Sequence, residues 1–303
     1  MKVCGQWDQW LQTSPPSMGW CSVATSSSGE YIGAVNSGPN LGGPGTVYIT
    51  SNYGSTWSMV TSVPSDSWTS VTLSSTGKYV AIVGGGSILN SGLSSSYIYT
   101  SSDYGATWTQ TGLSTSWISI ASSSSGAMIF ATSTVGCYLS SNFGQTWSLS
   151  SQMVTYYIAS SASGQYLLSS NDNVLYISSD SGDTWVTWST GFGNPWKCVT
   201  VSSTGQYMYA GMKAGGYIYM SSNFGIDFTA TSFPFMAWQG VTTDSTGQYL
   251  AANNCCGSGS VYISTNYGTT YSLTKAPATS WLSIASSDSF SLLVAAAVPG
   301  YNY

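Results

Sequence analysis

The sequence predicts an all-β chain, and three observations carry that prediction. Helix formers are scarce, with one glutamate (Glu30) and five lysines among 303 residues, while Ser, Thr, Tyr, Val and Gly, which suit strands and turns, dominate. Hydrophobic residues make up 42% of the chain and aromatic ones 14%, with 13 tryptophans. That is ample surface to bury, and it excludes disorder. The third observation is a recurrence of aromatic and glycine positions at roughly 40 residues, a period that signals a repeat architecture.

The repeats set the elements in order. One ladder reads Trp, then Val or Ile three places on, a Ser-rich stretch, and Gly nine places after the Trp. Its first positions are Trp20, Trp68, Trp117, Thr155, Trp196, Trp238 and Trp281. The glycines are Gly29, Gly77, Gly126, Gly164, Gly205 and Gly247, with Phe290 in the seventh place. A second ladder falls between these copies and reads Tyr-x-x-Ser-(Asp/Asn)-x-Gly-x-Thr-Trp with drift. It runs Tyr48 to Trp57, Tyr99 to Trp108, Tyr138 to Trp147, Tyr176 to Trp185, Tyr219 to Phe228 and Tyr262 to Tyr271. The turn residue is Asn52, Asp103, Asn142, Asp180, Asn223 or Asn266, and Asp227 replaces the usual Thr in the fifth copy.

This second motif resembles the Asp-box, or bacterial neuraminidase repeat, which recurs in sialidases and in many other proteins of β-propeller fold. The resemblance covers most of the chain. Its local logic is structural: an Asp or Asn side chain accepts hydrogen bonds from backbone N–H groups two or three residues on, and Gly supplies a positive φ. The following aromatic anchors the next strand.

Each unit holds four strand-length segments. In the unit starting at Trp196 they are 196–201 (A), 206–210 (B), 216–221 (C) and a strand beginning near Phe228 (D). A four-stranded antiparallel sheet repeated radially is a propeller blade, so the expected fold is a seven-bladed β-propeller with blades starting near residues 20, 68, 117, 155, 196, 238 and 281. Trp10 lies ten residues before Trp20, as Phe228 lies ten before Trp238. Residues 6–13 therefore read as a strand D that closes the last blade, with Tyr301 or Tyr303 in its strand C. Residues 1–303 then form a single domain with its sheet edges hidden.

Composition limits function. Charged residues are 5% of the chain, against about 25% in ordinary soluble domains, and the net charge is −5. The basic residues are Lys2, Lys78, Lys197, Lys213 and Lys275, with no arginine or histidine. A basic face for nucleic acid is excluded. No apolar run reaches a membrane span, and the first residues lack the apolar stretch of a signal peptide.

Without arginine the chain cannot build the triad with which sialidases hold a carboxylate, and lysine is no bidentate substitute. Without histidine the usual serine or cysteine hydrolase schemes and His-type zinc sites fail. A glycosidase needs two carboxylates about 5 to 10 Å apart. Asp66 and Asp172 point to the upper face in this register but belong to different blades, whereas Asp244, Asp288 and Glu30 fall in lower turns.

In this register the A-to-B and C-to-D turns share the lower face, and the variable B-to-C and D-to-A loops share the upper face, where function is expected. No cofactor or metal is expected. The expected role is a non-catalytic binding or scaffold module for a glycan or protein, with Trp20, Trp68, Trp117, Trp196, Trp238 and Trp281 as candidate ligand-stacking residues. The alternatives are a structural subunit of an extracellular or viral-type assembly, suggested by the neutral Ser/Thr/Asn coat, and a glycoside hydrolase. Default packing between blades is the competing account of the tryptophans. Six cysteines allow disulfides in an oxidising compartment, Cys4 with Cys21 being the first pairing to test. An extracellular setting is expected, with the cytoplasm as alternative.

Overall fold

The structure is a computed structural model that describes residues 1–6, 9–13, 18–38, 44–85, 95–191, 193, 195–255 and 259–298, with side chains from residue 9 onward and for Met1. Blade 1 shows how the sequence becomes a sheet. Its strands A to D are Trp20–Thr25, Ile32–Asn36, Val47–Thr50 and Ser58–Val60. Strand B is buried along its whole length, as a strand sandwiched between neighbouring sheets must be, and it is apolar on both faces up to the terminal Asn36. Strand D is short and largely exposed. The same A-B-C-D order recurs in every sheet.

Seven four-stranded antiparallel sheets are formed. The expectation of a seven-bladed propeller closed by one N-terminal strand is corrected to six blades and a composite closing sheet. Six blades are unbroken stretches of chain, but the remaining sheet is a composite and no copy of the repeat. Its strands A and B are Ser280–Ser286 and Leu293–Val298. Its strands C and D are Lys2–Gln6 and Gln9–Gln12, with Val3 opposite Val294 and Leu11. The N-terminus thus supplies two strands where residues 6–13 were read as one. The place assigned to Tyr301 or Tyr303 is taken by Lys2–Gln6, and residues 299–303 lie outside the described residues. The physical reason is that a hairpin pairs its own two strands before it pairs with anything distant, so the terminal segment enters the sheet as a pair.

The ring is closed by the backbone. The A-to-B turns form a circuit in which Ser27 N donates to Ser75 O, Ser75 to Ser124, Ser124 to Ala162, Ala162 to Ser203, Ser203 to Ser245, Ser245 to Asp288 and Asp288 back to Ser27, at 2.7–2.9 Å. Higher on the axis, Ser22, Ser70 and Ser283 Oγ accept the N–H groups of Val71, Ile120 and Val23 in the next sheet, each at 3.3 Å. These small polar side chains suit the crowded centre, where each sheet needs partners for inner-edge groups.

Between sheets the core is apolar. Trp20 packs with Val294 and Ala296 of the closing sheet, and Trp68 with Val35 and Val47 of blade 1. Thr155 stands where the other blades have Trp, and the interface beside it is filled by Phe130, Cys137, Ile158 and Leu167.

The Asp-box turns follow a common design. In blade 2, Asp103 Oδ1 accepts Thr107 N at 2.8 Å, Ser101 Oγ accepts Gly105 N at 2.9 Å, and Trp108 Nε1 donates to Gly105 O at 2.9 Å. The accepted amide is four residues on, rather than two or three. The residue before the glycine is also left-handed: Tyr53, Tyr104, Phe143, Ser181, Phe224 and Tyr267 have φ between 57° and 62°. Two consecutive left-handed residues give a tight turn of the mirror-image type. Gly105 itself has φ 84°, a backbone that favours glycine, and a Cβ there would push aside the tip of Ile49 of blade 1.

Candidate functional site

The six strand-A tryptophans offered as ligand-stacking residues are at most 1% exposed. Each gives an edge to a strand-C ring or its neighbours, as Trp20 does to Tyr48 at 5.5 Å, Trp68 to Tyr99 at 5.6 Å and Trp238 to Tyr262 at 5.7 Å. Trp117, Trp196 and Trp281 pack likewise with Tyr138, Tyr219 and Trp10. With no ring face open, the stacking role is corrected to packing between sheets.

What those tryptophans position is the next residue. In six sheets the A–B register slips between the Trp and the second residue after it. Such a bulge inserts one unpaired residue and re-aims its side chain. The inserted residues are Cys21, Thr69, Ile118, Lys197, Gln239 and Leu282. Lys197 shows where they aim, because the groups acting on it come from four sheets. Its Nζ meets Tyr157 Oη of blade 4 at 2.7 Å, and the thiols of Cys198, Cys255 and Cys21 belong to blades 5, 6 and 1. Only at the axis do those blades converge.

Lys197 is 8% exposed, and its amine lies 5.0 Å from the Tyr157 ring centroid. Burial pushes the amine down to about 8, with the neighbouring thiols of Cys198, Cys255 and Cys21 acting the other way. Burial likewise pushes the Cys198 thiol up to about 12 and raises Cys21 and the Tyr157 phenol. Gln239, also buried, donates from Nε2 to Cys255 Sγ at 3.2 Å, while its Oε1 has no partner. The sequence carries no signal for this group, since the residue after each Trp follows no pattern.

The expected Cys4–Cys21 disulfide fails at one end. Cys21 is a free thiol 2.8 Å from Ser37 Oγ, and the Cys4 side chain lies outside the described residues, as does Cys256. Cys137 and Cys198 are also free thiols. Among the described residues no group of three or more His, Cys, Asp or Glu could hold a metal.

Asp66, Asp244 and the turn acids Asp103 and Asp180 are spent on structure. Asp66 accepts Ser67 N at 2.7 Å and a short bond from Ser96 Oγ, which clasps the loop entering strand C of blade 2. Asp244 takes the serine place of an A-to-B turn and accepts Tyr249 N at 3.0 Å. The turn residues Asn52, Asp103, Asn142, Asp180, Asn223 and Asn266 all sit where expected and accept a backbone amide at 2.8–3.3 Å. At the lower end of the axis a cavity of about 160 Å³ is lined mainly by serines, with Asp244 and Asp288.

Both faces expose apolar side chains, the lower one including Tyr53 at 51% and Ile226 at 78% in its Asp-box turns. On the lower face, Tyr104, Phe143, Phe224 and Tyr267 are stacked on Tyr31, Tyr79, Tyr166 and Tyr207 of the preceding blade, at 4.4–4.8 Å. On the upper face, Tyr97, Leu113, Val135, Val154, Tyr217 and Phe235 are exposed, and Tyr217 meets Phe235 edge-on at 5.4 Å.

One stretch, residues 98–111, matches the family model described as BNR-Asp box repeat. Among solved structures, the GH74 xyloglucanase from Xanthomonas campestris aligns with a TM-score of 0.73 at 13% identity, covering 96% of this chain and 52% of that one. This chain thus spans about half the length of that enzyme. The β-propeller domain of Myceliophteria thermophila Cps50 (Swd1) aligns at 0.72 with 15% identity, over 94% and 95% of the two chains. A YCF48 solved bound to D1 peptide aligns at 0.66 with 14% identity, over 95% of each. At these identities the likeness is one of fold. Comparison with curated proteins finds no match.

Proposed function

We propose that this chain, a β-propeller carrying BNR-Asp box repeats, is a non-catalytic binding module that takes a polypeptide partner on its upper face. The observation that supports this most is the set of exposed apolar side chains on the variable loops there, led by Phe235 at 62% exposed. Exposed apolar groups on variable loops over a rigid ring suit recognition. Beside the rings of Tyr97, Tyr217 and Phe235 stand the aliphatic Leu113, Val135 and Val154, which suit the mixed side chains of a polypeptide better than a sugar ring. YCF48, of similar fold, is described with a peptide bound. The free thiols of Cys21, Cys137 and Cys198 suit a reducing compartment.

The test is a random-peptide display selection against the full chain, repeated with Tyr217→Ser/Phe235→Ser and with the lower-face pair Phe143→Ser/Phe224→Ser. Enriched peptides that lose binding only to the upper-face variant support the reading. No enrichment, or equal loss in both variants, overturns it, and a response confined to a saccharide array replaces it with glycan binding.

A second reading, self-association into an assembly, has its own support. The outer strands Gln9–Gln12, Ser58–Val60, Ser148–Ser151, Val186–Trp188 and Ser272–Leu273 carry no charge and expose Leu11, Met59, Leu149, Val186 and Leu273. Uncharged edges are the kind that pair with another chain. Light scattering with rising concentration tests it, and a constant monomer mass removes it.

A further inference from the structure

We infer that Lys197 forms the floor of a carboxylate-binding site at the upper end of the axis. The inference rests on the upper face being the binding face and names the chemistry that face selects. Lys197 is the one buried lysine among the described residues, and its hydrogen-bond partner there is the uncharged Tyr157 Oη at 2.7 Å. An ammonium has three N–H donors, so two remain for something else. A buried charge without a counter-charge is costly, and the chain has placed it at the one point where blades 1, 4, 5 and 6 meet.

The surroundings select the anion. Thr69, Ile118 and Gln239, the inserted residues of blades 2, 3 and 6, are each nearly buried. One cationic centre balances one negative charge, which favours a monovalent carboxylate over phosphate or sulfate.

The probe is sodium acetate, compared with sodium chloride at equal ionic strength and with neutral acetamide, and thermal unfolding of the full chain at pH 7 is the readout. Acetate raises the midpoint in a saturable way, while chloride and acetamide do not. Lys197→Met, which is expected to fold because it removes a buried charge, loses the response. Equal effects of acetate and chloride, or a response retained by Lys197→Met, overturn the site. Should Lys197→Met fail to fold, the pH profile of the unaltered chain decides.

The titratable groups facing the amine are Tyr157, Cys21, Cys198 and Cys255, with Lys213 and Asp172 acting on the Tyr157 phenol. Binding needs the ammonium, so affinity falls about tenfold per pH unit above the amine's own titration. A response flat from pH 7 to 10 overturns the inference. Acetate binding with no peptide selected leaves this site standing without the polypeptide reading. Peptide selection without an acetate response does the reverse.

Discussion

Trp68 and Trp238 hold the same place in blades 2 and 6 but differ in one atom's surroundings. Trp238 Nε1 donates to Gly216 O at 3.1 Å, whereas Trp68 Nε1 is buried with no partner. Replacing either indole by alanine should cost about 3–5 kcal/mol, the usual price of a large void. Replacing it by phenylalanine separates them. Trp238→Phe loses a bond, although Gly216 O keeps the Met236 N–H at 3.0 Å, so it should cost about 1 kcal/mol more than Trp68→Phe, read from urea midpoints. Equal costs would mean that Trp68 Nε1 finds a partner after all. The turn acids allow a second comparison. Hydrogen bonds from Thr107 and Thr184 hold the carboxyls of Asp103 and Asp180 below the usual carboxylate range. Their contribution is therefore present above the unfolded value, about 3.9, and is lost as pH falls through the lower folded value. Amide exchange near residues 103 and 180 should rise in acid while that near Asn142 and Asn266 does not. Asp103→Asn should abolish the rise at blade 2, because asparagine already serves in four of the other turns.

At the scale of the element, the Asp-box turn was largely legible. The Asp or Asn, the glycine and the following aromatic each occupy the place that their chemistry requires. What stayed hidden was the residue between acid and glycine, because an aromatic in a sequence reads as core and carries no sign of a left-handed backbone. The structure shows the compensation: Phe143, at φ 59°, lies 4.4 Å from the Tyr79 ring. Blade 4 dispenses with the ring and uses Ser181. Phe143→Asn should then change stability by no more than about 1 kcal/mol, since asparagine tolerates this backbone while the stacking gain of roughly 0.5–1.5 kcal/mol is lost. Phe143→Val loses the ring and keeps the strain, which for a β-branched residue is greater. It should be the less stable of the two variants by urea unfolding, and the opposite order would show that ring contact alone sets the turn. Lys197 was hidden for a different reason. Its placement depends on a bulge in the A–B register, and a one-residue slip leaves no mark in an aromatic ladder spaced by tens of residues.

For the whole molecule the decisive element is the composite sheet. The sequence marks strand C by the Tyr that precedes each Asp-box, and the N-terminal hairpin has no Asp-box, so its first strand could not be read from the repeat; its second was visible through Trp10. That ring lies 6.0 Å from Trp281, and the first strand pairs Lys2, Val3 and Cys4 with Ala295, Val294 and Leu293. Removing residues 1–13 would leave Leu293–Val298, a buried apolar strand without charge, as an open edge. Open edges of that kind pair with other chains. The shortened chain should melt earlier and less cooperatively and gain mass in light scattering. The circuit of backbone bonds through the A-to-B turns does not involve residues 1–13, so the ring should persist around a sheet of two strands and remain able to accept the missing pair. A synthetic peptide of residues 1–13 added in trans should therefore restore both the midpoint and the monomer mass by strand addition, whereas a scrambled peptide should not. A shortened chain that melts like the full one would mean that the axial circuit alone holds the disc, and that the terminal hairpin only caps an edge.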